Sequence, residues 1–285
     1  MNLVGKRVLI TGASGGIGHA LAECLLDEGA HVLVCARNTQ RLRASVMLWN
    51  VGVDRADLIE ADVVSLADRE RLCGAASRWR GGVDILVNNA GVSDFGLLED
   101  TSGESLERTV ATNLLAPMDL CRRMLPHLRT RSEAQIVNIG SVFGSIGFAG
   151  NSAYCASKFG LRGFSEALRR ELADTTVAVR YYAPRATRTS INSVAASAAN
   201  AELGVTVDDP VDVAQRIVRR MQSSRAEDVF GWPEKFFARL NALLPRIVDR
   251  ALAGQLPIVV KHARVRRANP GSQVHPFIER SRRVG

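Results

Sequence analysis

Lys6-Arg7-Val8-Leu9-Ile10-Thr11-Gly12-Ala13-Ser14-Gly15-Gly16-Ile17-Gly18 sets an apolar run, a glycine-rich turn and a helix start back to back. The run has the length and apolar character of a buried strand. Glycines let the turn tighten and let backbone come close to a pyrophosphate, whose charge the following helix N-terminus stabilises. A tight strand–helix turn with no ligand is the plainer alternative. The strand before and the helix after make the dinucleotide reading the stronger one.

Outward from this segment, short apolar runs alternate with helical stretches. Lys6–Ile10, Ala30–Ala36, Asp57–Ala61, Val83–Asn88, Gln135–Ile139 and Val177–Ala183 read as strands, and Glu227–Gly231 as one more. Helices are expected near 17–29, 39–49, 65–79, 104–130 and 153–173. Strands that are apolar throughout belong to a parallel sheet covered on both faces. Repeated βα units predict an α/β fold with a doubly wound parallel sheet, the Rossmann fold. We expect one domain over 1–232, an amphipathic helical extension over 233–263 kinked at Pro245, and a basic, disordered tail over 264–285.

The 285 residues are 46% hydrophobic and 23% charged, which excludes a low-complexity disordered chain. No apolar run is long enough for a membrane span, and no export segment precedes the first strand. Lys and Arg balance Asp and Glu at 25 to 24 over residues 1–224 but outnumber them 12 to 5 over 225–285. The basic excess therefore lies outside the expected core, which argues against nucleic acid as a partner. Five scattered cysteines read as reduced thiols of a cytoplasmic protein. His19, His31, His127, His262 and His275 form no ligand pattern, so no metal is expected.

Three further segments sit in register with the glycine turn: Asn88-Asn89-Ala90-Gly91, Ser141, and Tyr154-Cys155-Ala156-Ser157-Lys158. With the GxxxGxG spacing of the turn, they resemble the short-chain dehydrogenase/reductase family over about residues 5–230. The resemblance implies hydride transfer between a nicotinamide cofactor and a C=O/CH–OH pair. It implies cofactor contacts at Gly12, Ser14, Gly16, Ile17 and Gly18, at Asp62 and Val63 for the adenine, and at Asn89, Ala90 and Gly91. Tyr154 is implied as acid/base, Lys158 as its partner and ribose ligand, Ser141 as the substrate-positioning hydroxyl, and Asn113 as part of a water relay. Pro184 and Thr189 match the family's segment after the sixth strand. Thr187 stands where an aliphatic residue is usual and Arg185 where glycine is usual, a position at which a side chain would be strained. Family members are usually dimers or tetramers.

Tyr154 and Lys158 lie four apart and so share a helix face, where an ammonium would lower the phenol's pKa. NAD enzymes of this fold place an acid at the end of the second strand, but here Ala36 is followed by Arg37 and Asn38. A guanidinium suits a ribose 2′-phosphate, with Ser14 and Asn38 as helpers, so NADP(H) is the expected cofactor. Asp62 has a second reading, as the N-cap of the helix starting near Ser65. Arg185 and Arg188 read either as surface ion pairs or as contacts to an anionic substrate.

Phe95, Val142, Phe143, Ile146 and Phe148 are expected to line the substrate side, which points to a hydrophobic ketone, aldehyde or alcohol. Residues 190–209 fall at the family's mobile lid. Two alternatives stand beside this reading: a 3-oxoacyl-thioester reductase, and a regulator that binds NADP(H) without turnover. The extension is expected to pack on its own domain or a second copy, with peripheral membrane contact as the alternative.

Overall fold

β1 (Arg7–Thr11) shows how the sequence builds two layers on one sheet, because alternate side chains leave opposite faces. Val8 and Ile10 join a core with Leu21, Leu25, Ile217 and Met221, whereas Leu9 joins Leu72, Leu120, Met124 and Leu168 on the other face. The computed structural model describes residues 1–50 and 54–268. After β1 come α1 (Gly16–Asp27), β2 (His31–Ala36), α2 (Gln40–Trp49), β3 (Ala56–Glu60), α3 (Leu66–Ala76) and β4 (Ile85–Asn88). Next are α4 (Gly103–Val110), a π-helical turn (Ala111–Leu115), α5 (Ala116–Leu128), β5 (Ala134–Ile139), α6 (Ser152–Glu171) and β6 (Val177–Ala183). The chain then forms α7 (Val194–Glu202), α8 (Pro210–Gln222), β7 (Glu227–Val229), α9 (Trp232–Leu243), α10 (Pro245–Ala253) and α11 (Leu256–Ala268).

The sheet runs β3-β2-β1-β4-β5-β6-β7 with every neighbouring pair parallel. Strand order reverses between β1 and β4, so a crevice opens beyond their carboxyl ends. The expected doubly wound Rossmann fold is therefore present, and all seven expected strands form, with ends shifted by at most two residues.

Polar side chains pin the middle of the sheet. Asn88 donates to Asn138 Oδ1 and Asn138 to Ser165 Oγ, each at 2.8 Å, and Ser165 bonds the Leu161 carbonyl of α6. All three side chains are buried. They tie β4 to β5 and β5 to α6, just below the residues singled out in the sequence.

Two parts of the chain differ from expectation. No helix is read from sequence over 210–222, yet α8 forms there, capped by the Asp209 carboxylate and started by Pro210. Its apolar side (Val213, Ala214, Ile217, Val218, Met221) covers α1. The extension is not one kinked helix. Leu244 leaves helical geometry before Pro245, so α9 and α10 are separate, and a third helix follows. α11 continues helically to Ala268, past the point where disorder is expected, because Val259 and Ala263 are buried against α7. Residues 269–285 of the expected tail lie outside the described residues.

Asn138→Ala should lower stability by about 2–4 kcal/mol, since it removes from the core both the oxygen that accepts from Asn88 and the amide that donates to Ser165. A lower urea midpoint at unchanged slope is the expected readout.

Candidate active site

The crevice is a cavity of about 680 Å³. The glycine turn forms one wall. Gly12 (φ +70°) lies so close to the next loop that a Cβ there would sit 2.6 Å from Ala90 Cα. Gly16 (φ +56°) opens α1, and a Cβ would meet Thr189 Cγ2 at 2.8 Å. Both have backbone conformations and surroundings that exclude a side chain. No side chain caps α1 at Gly15, and no acid stands in its first turn. The free N–H groups of a helix start thus face the cavity, a fit to a pyrophosphate.

Thr11 and Asn89 hold this wall to the β4 loop. Thr11 Oγ1 accepts from the backbone N–H groups of Asn89 and Ala90 at 3.1 Å. Asn89 Nδ2 donates to the carbonyls of Thr11 (2.9 Å) and Gly12 (3.0 Å).

Of the residues singled out in the sequence, Gly12, Ser14, Gly16, Ile17, Gly18, Arg37, Asp62, Val63, Asn89, Ala90, Gly91, Ser141, Phe143, Phe148, Tyr154, Lys158, Pro184, Thr187 and Thr189 line this cavity together. Arg37 is exposed at its rim and makes no ion pair among the described residues. Asn38 sits in an adjoining depression shared with Arg37, where its Oδ1 accepts from the Gln40 N–H at 3.0 Å.

Ser141 follows β5, and its Oγ accepts the Phe143 N–H at 3.1 Å, capping a short 3₁₀ turn. Tyr154 and Lys158 stand one turn apart on α6, as their spacing predicts. Lys158 is buried and donates from Nζ to the Ile139 carbonyl at 2.9 Å. Burial lowers its pKa from the ordinary 10.5 to about 8. Tyr154 is half-buried and lines the cavity. Burial pushes the phenol up to about 12, against a hydrogen bond with the Ser141 side chain that lowers it. The expected depression of Tyr154 by Lys158 is therefore not what the structure shows. The ammonium lies 5.7 Å from the centre of the tyrosine ring and binds a carbonyl, and loss of hydration dominates. Phe143 stacks on Phe148 (centroids 5.2 Å apart, 10° between planes) and meets Tyr154 edge-on at 6.4 Å.

Asn113 lies behind the wall, fully buried in the π-helical turn. Its Oδ1 accepts the Val92 N–H (2.9 Å), while Nδ2 donates to the Val92 carbonyl (2.8 Å) and to Ser157 Oγ (3.1 Å). It fastens the loop after β4 onto α6.

Several expectations are corrected. Phe95 is buried away from the cavity with Ala199, Val259 and Ala263, because α11 covers it. Ile146 is buried with Ala238 and Val248 of the extension rather than lining the cleft. Asp62 does not cap α3: Ser65 does, and Asp62 Oδ1 instead accepts the Val64 N–H at 3.0 Å. Arg185 takes no left-handed conformation, Arg80 being the one non-glycine with positive φ among the described residues. It forms a forked ion pair with Asp208 (Nη2–Oδ1 2.7 Å, Nε–Oδ2 2.9 Å) on the cavity wall, and Arg188 pairs with Asp209.

The lid segment contains α7, held from outside by α11, with Glu202 bonded to Lys261 and His262 at 2.8 Å each. Arg108, Asn151, Asn200 and Glu234 also line the cavity and escape the sequence reading. They belong to no motif and reach the site only through tertiary packing.

A glycine-walled nucleotide cleft on a doubly wound sheet, with a hydroxyl pair and a buried amine at the strand ends, defines a dinucleotide-dependent oxidoreductase class. The sequence profile described as short chain dehydrogenase matches residues 6–200. "Ketoacyl reductase HetN" of Nostoc sp. is 33% identical over 254 residues, 87% of this chain and 88% of that protein. "Dehydrogenase/reductase SDR family member 7B" of Bos taurus is 30% identical over 263 residues, 87% of this chain and 80% of that one. A metagenomic short-chain oxidoreductase solved in complex with NADP superposes with a TM-score of 0.68 at 29% identity, covering 81% of this chain and 98% of its own. Other solved chains of the same fold are complexes with NAD or with NADP. The chain belongs to the short-chain dehydrogenase/reductase family of oxidoreductases.

Lys158→Met should raise stability near pH 7 by about 1–3 kcal/mol, by removing a charge from an enclosed site. The native amine loses its proton near pH 8 and the unfolded one near 10.5, so the unfolded chain binds more protons in that window. Wild-type stability then gains on that of the Lys158→Met variant as pH rises from about 8 to 10.5, and thermal melts of both proteins should converge there.

Proposed function

We propose that the protein interconverts a hydrophobic ketone or aldehyde and its alcohol with NADP(H). The observation that carries the reading is the convergence of Ser141, Tyr154 and Lys158 on the cavity that the glycine turn walls. When bound there, the nicotinamide supplies or accepts the hydride. Gly12 to Gly18 and the start of α1 would hold its pyrophosphate, Arg37 its 2′-phosphate, and Lys158 its ribose. Arg37 at the rim, with no acid on the strand end before it, supports NADP(H) over NAD(H).

The Ser141 and Tyr154 hydroxyls would hold the substrate oxygen between them, which orients the carbonyl carbon toward the cofactor. In reduction Tyr154 gives its proton to that oxygen. A phenol that titrates near 12 carries this proton throughout the neutral range. Lys158, charged below about pH 8, stands one helix turn from Tyr154, where it would bind the cofactor ribose. Phe143, Phe148, Ile191 and Val205 offer the substrate apolar surface.

A 3-oxoacyl thioester is a second substrate reading, favoured by the ketoacyl reductase relative that the chain covers almost end to end. The same residues would act, and only the substrate differs.

NADPH oxidation against aliphatic, aromatic, steroid-like and 3-oxoacyl-thioester carbonyls tests the proposal and separates the two substrates. Tyr154→Phe should lower turnover by roughly 10²–10⁴-fold and leave NADPH affinity nearly unchanged. Retained turnover would remove Tyr154 from the mechanism. Arg37→Ala should lower the preference for NADPH over NADH in kcat/KM by about 10–100-fold. An unchanged ratio would place the 2′-phosphate elsewhere.

A further inference from the structure

α9 has an inner and an outer side. On the inner side Ala238 and Leu240 pack with Val142 and Ile146, and Asn241 donates to the Ser145 carbonyl at 2.9 Å. The outer side carries Trp232, Phe236, Arg239 and Leu243, whose spacing of four, three and four residues forms one stripe. Trp232 and Leu243 keep 73% and 78% of their surface in solvent, values foreign to a helix that serves only to cover its own domain. Past the break at Leu244, the exposed Leu244 and Ile247 continue the apolar surface onto α10.

The charges beside this stripe are of one dominant sign. Arg239, Arg246 and Arg250 are exposed and make no ion pair among the described residues, while Lys235 is held by Asp228 and Lys261 by Glu202. The stretch 225–285 carries 12 basic residues against 5 acidic. A second copy suits this face poorly, because a two-fold contact would set the arginines near their own copies. Aromatic and branched side chains edged by arginines match the headgroup–acyl boundary of an anionic membrane.

We infer that the outer face of α9 and α10 seats the protein on the surface of an anionic lipid bilayer. No helix among the described residues is long and apolar enough to cross one, so the contact is interfacial. Glu234 of the same helix lines the cavity, which places the cavity one helix away from the lipid. Delivery of a membrane-dissolved carbonyl through that arrangement rests on the proposed function; the seating itself does not.

The full-length protein sedimented with phosphatidylcholine vesicles, with and without phosphatidylglycerol, provides the test. Binding should favour the anionic vesicles by about tenfold or more and weaken with salt. Phe236→Ser with Leu243→Ser should lower the bound fraction by about tenfold, and Arg239→Glu with Arg246→Glu should do the same. The unfolding midpoint and NADPH turnover of a water-soluble carbonyl should stay unchanged in the arginine variant, which alters no packed residue. Absence of binding to anionic vesicles would overturn the inference, as would equal binding by wild type and both variants. A dimer that Phe236→Ser with Leu243→Ser dissociates, without vesicle binding, would assign the face to a second copy instead. Vesicle binding without turnover of any carbonyl would fault the enzymatic reading alone.

Discussion

The bonds that join Thr11 and Asn89 set the geometry on which the crevice depends. β1 and β4 are neighbours in the sheet, but the chain leaves them in opposite directions, so the backbone beyond their ends has no ladder to satisfy it. Thr11 Oγ1 and Asn89 Nδ2 take over that task, binding two N–H groups and two carbonyls between them. The glycine turn is thereby held against Ala90 at a distance no side chain would allow. A cleft walled by backbone, with free N–H groups at its base, follows from that closeness.

The opposite wall works by enclosure. Tyr154 and Lys158 are both shifted toward their neutral forms, the phenol upward and the amine downward, and in each case burial is the first cause. Both values lie above neutral pH, so near pH 7 the phenol and the amine each keep a proton. The tyrosine is left as a proton donor and the lysine as a local positive charge. That division of labour comes from the low polarity of Phe143, Phe148 and the sheet ends, which the pair's spacing on α6 does not reveal.

Most of the sheet is legible in the sequence because its strands are continuous apolar runs, and most of the cavity because its residues belong to motifs fixed in register with strand ends. What escapes depends on long-range packing. Phe95 and Ile146 follow strand ends closely and are apolar, the features expected of cleft residues, yet α11 and the pair α9–α10 fold back over them. Arg185 looks strained only on the premise of a backbone conformation that the chain does not adopt. Its forked pairing to Asp208, twenty-three residues on, cannot be read from local sequence. α8 is a different case: Asp209, Pro210 and the apolar spacing 213, 214, 217, 218 and 221 are a complete helix signal, masked by the expectation of a lid nearby.

The π-helical turn at Ala111–Leu115 makes the α4–α5 segment sensitive to its length as well as its composition. Such a turn accommodates one residue more than the regular spiral around it. Removing a residue there would let the two helices fuse into an unbroken one, with better backbone bonding, and would rotate everything on one side by about a third of a turn. Asn113 would swing off Val92 and Ser157, and the loop after β4 would lose its fastening to α6. Among variants that differ by single-residue gaps, those in this turn should be folded, more helical, and poor at keeping the crevice in shape.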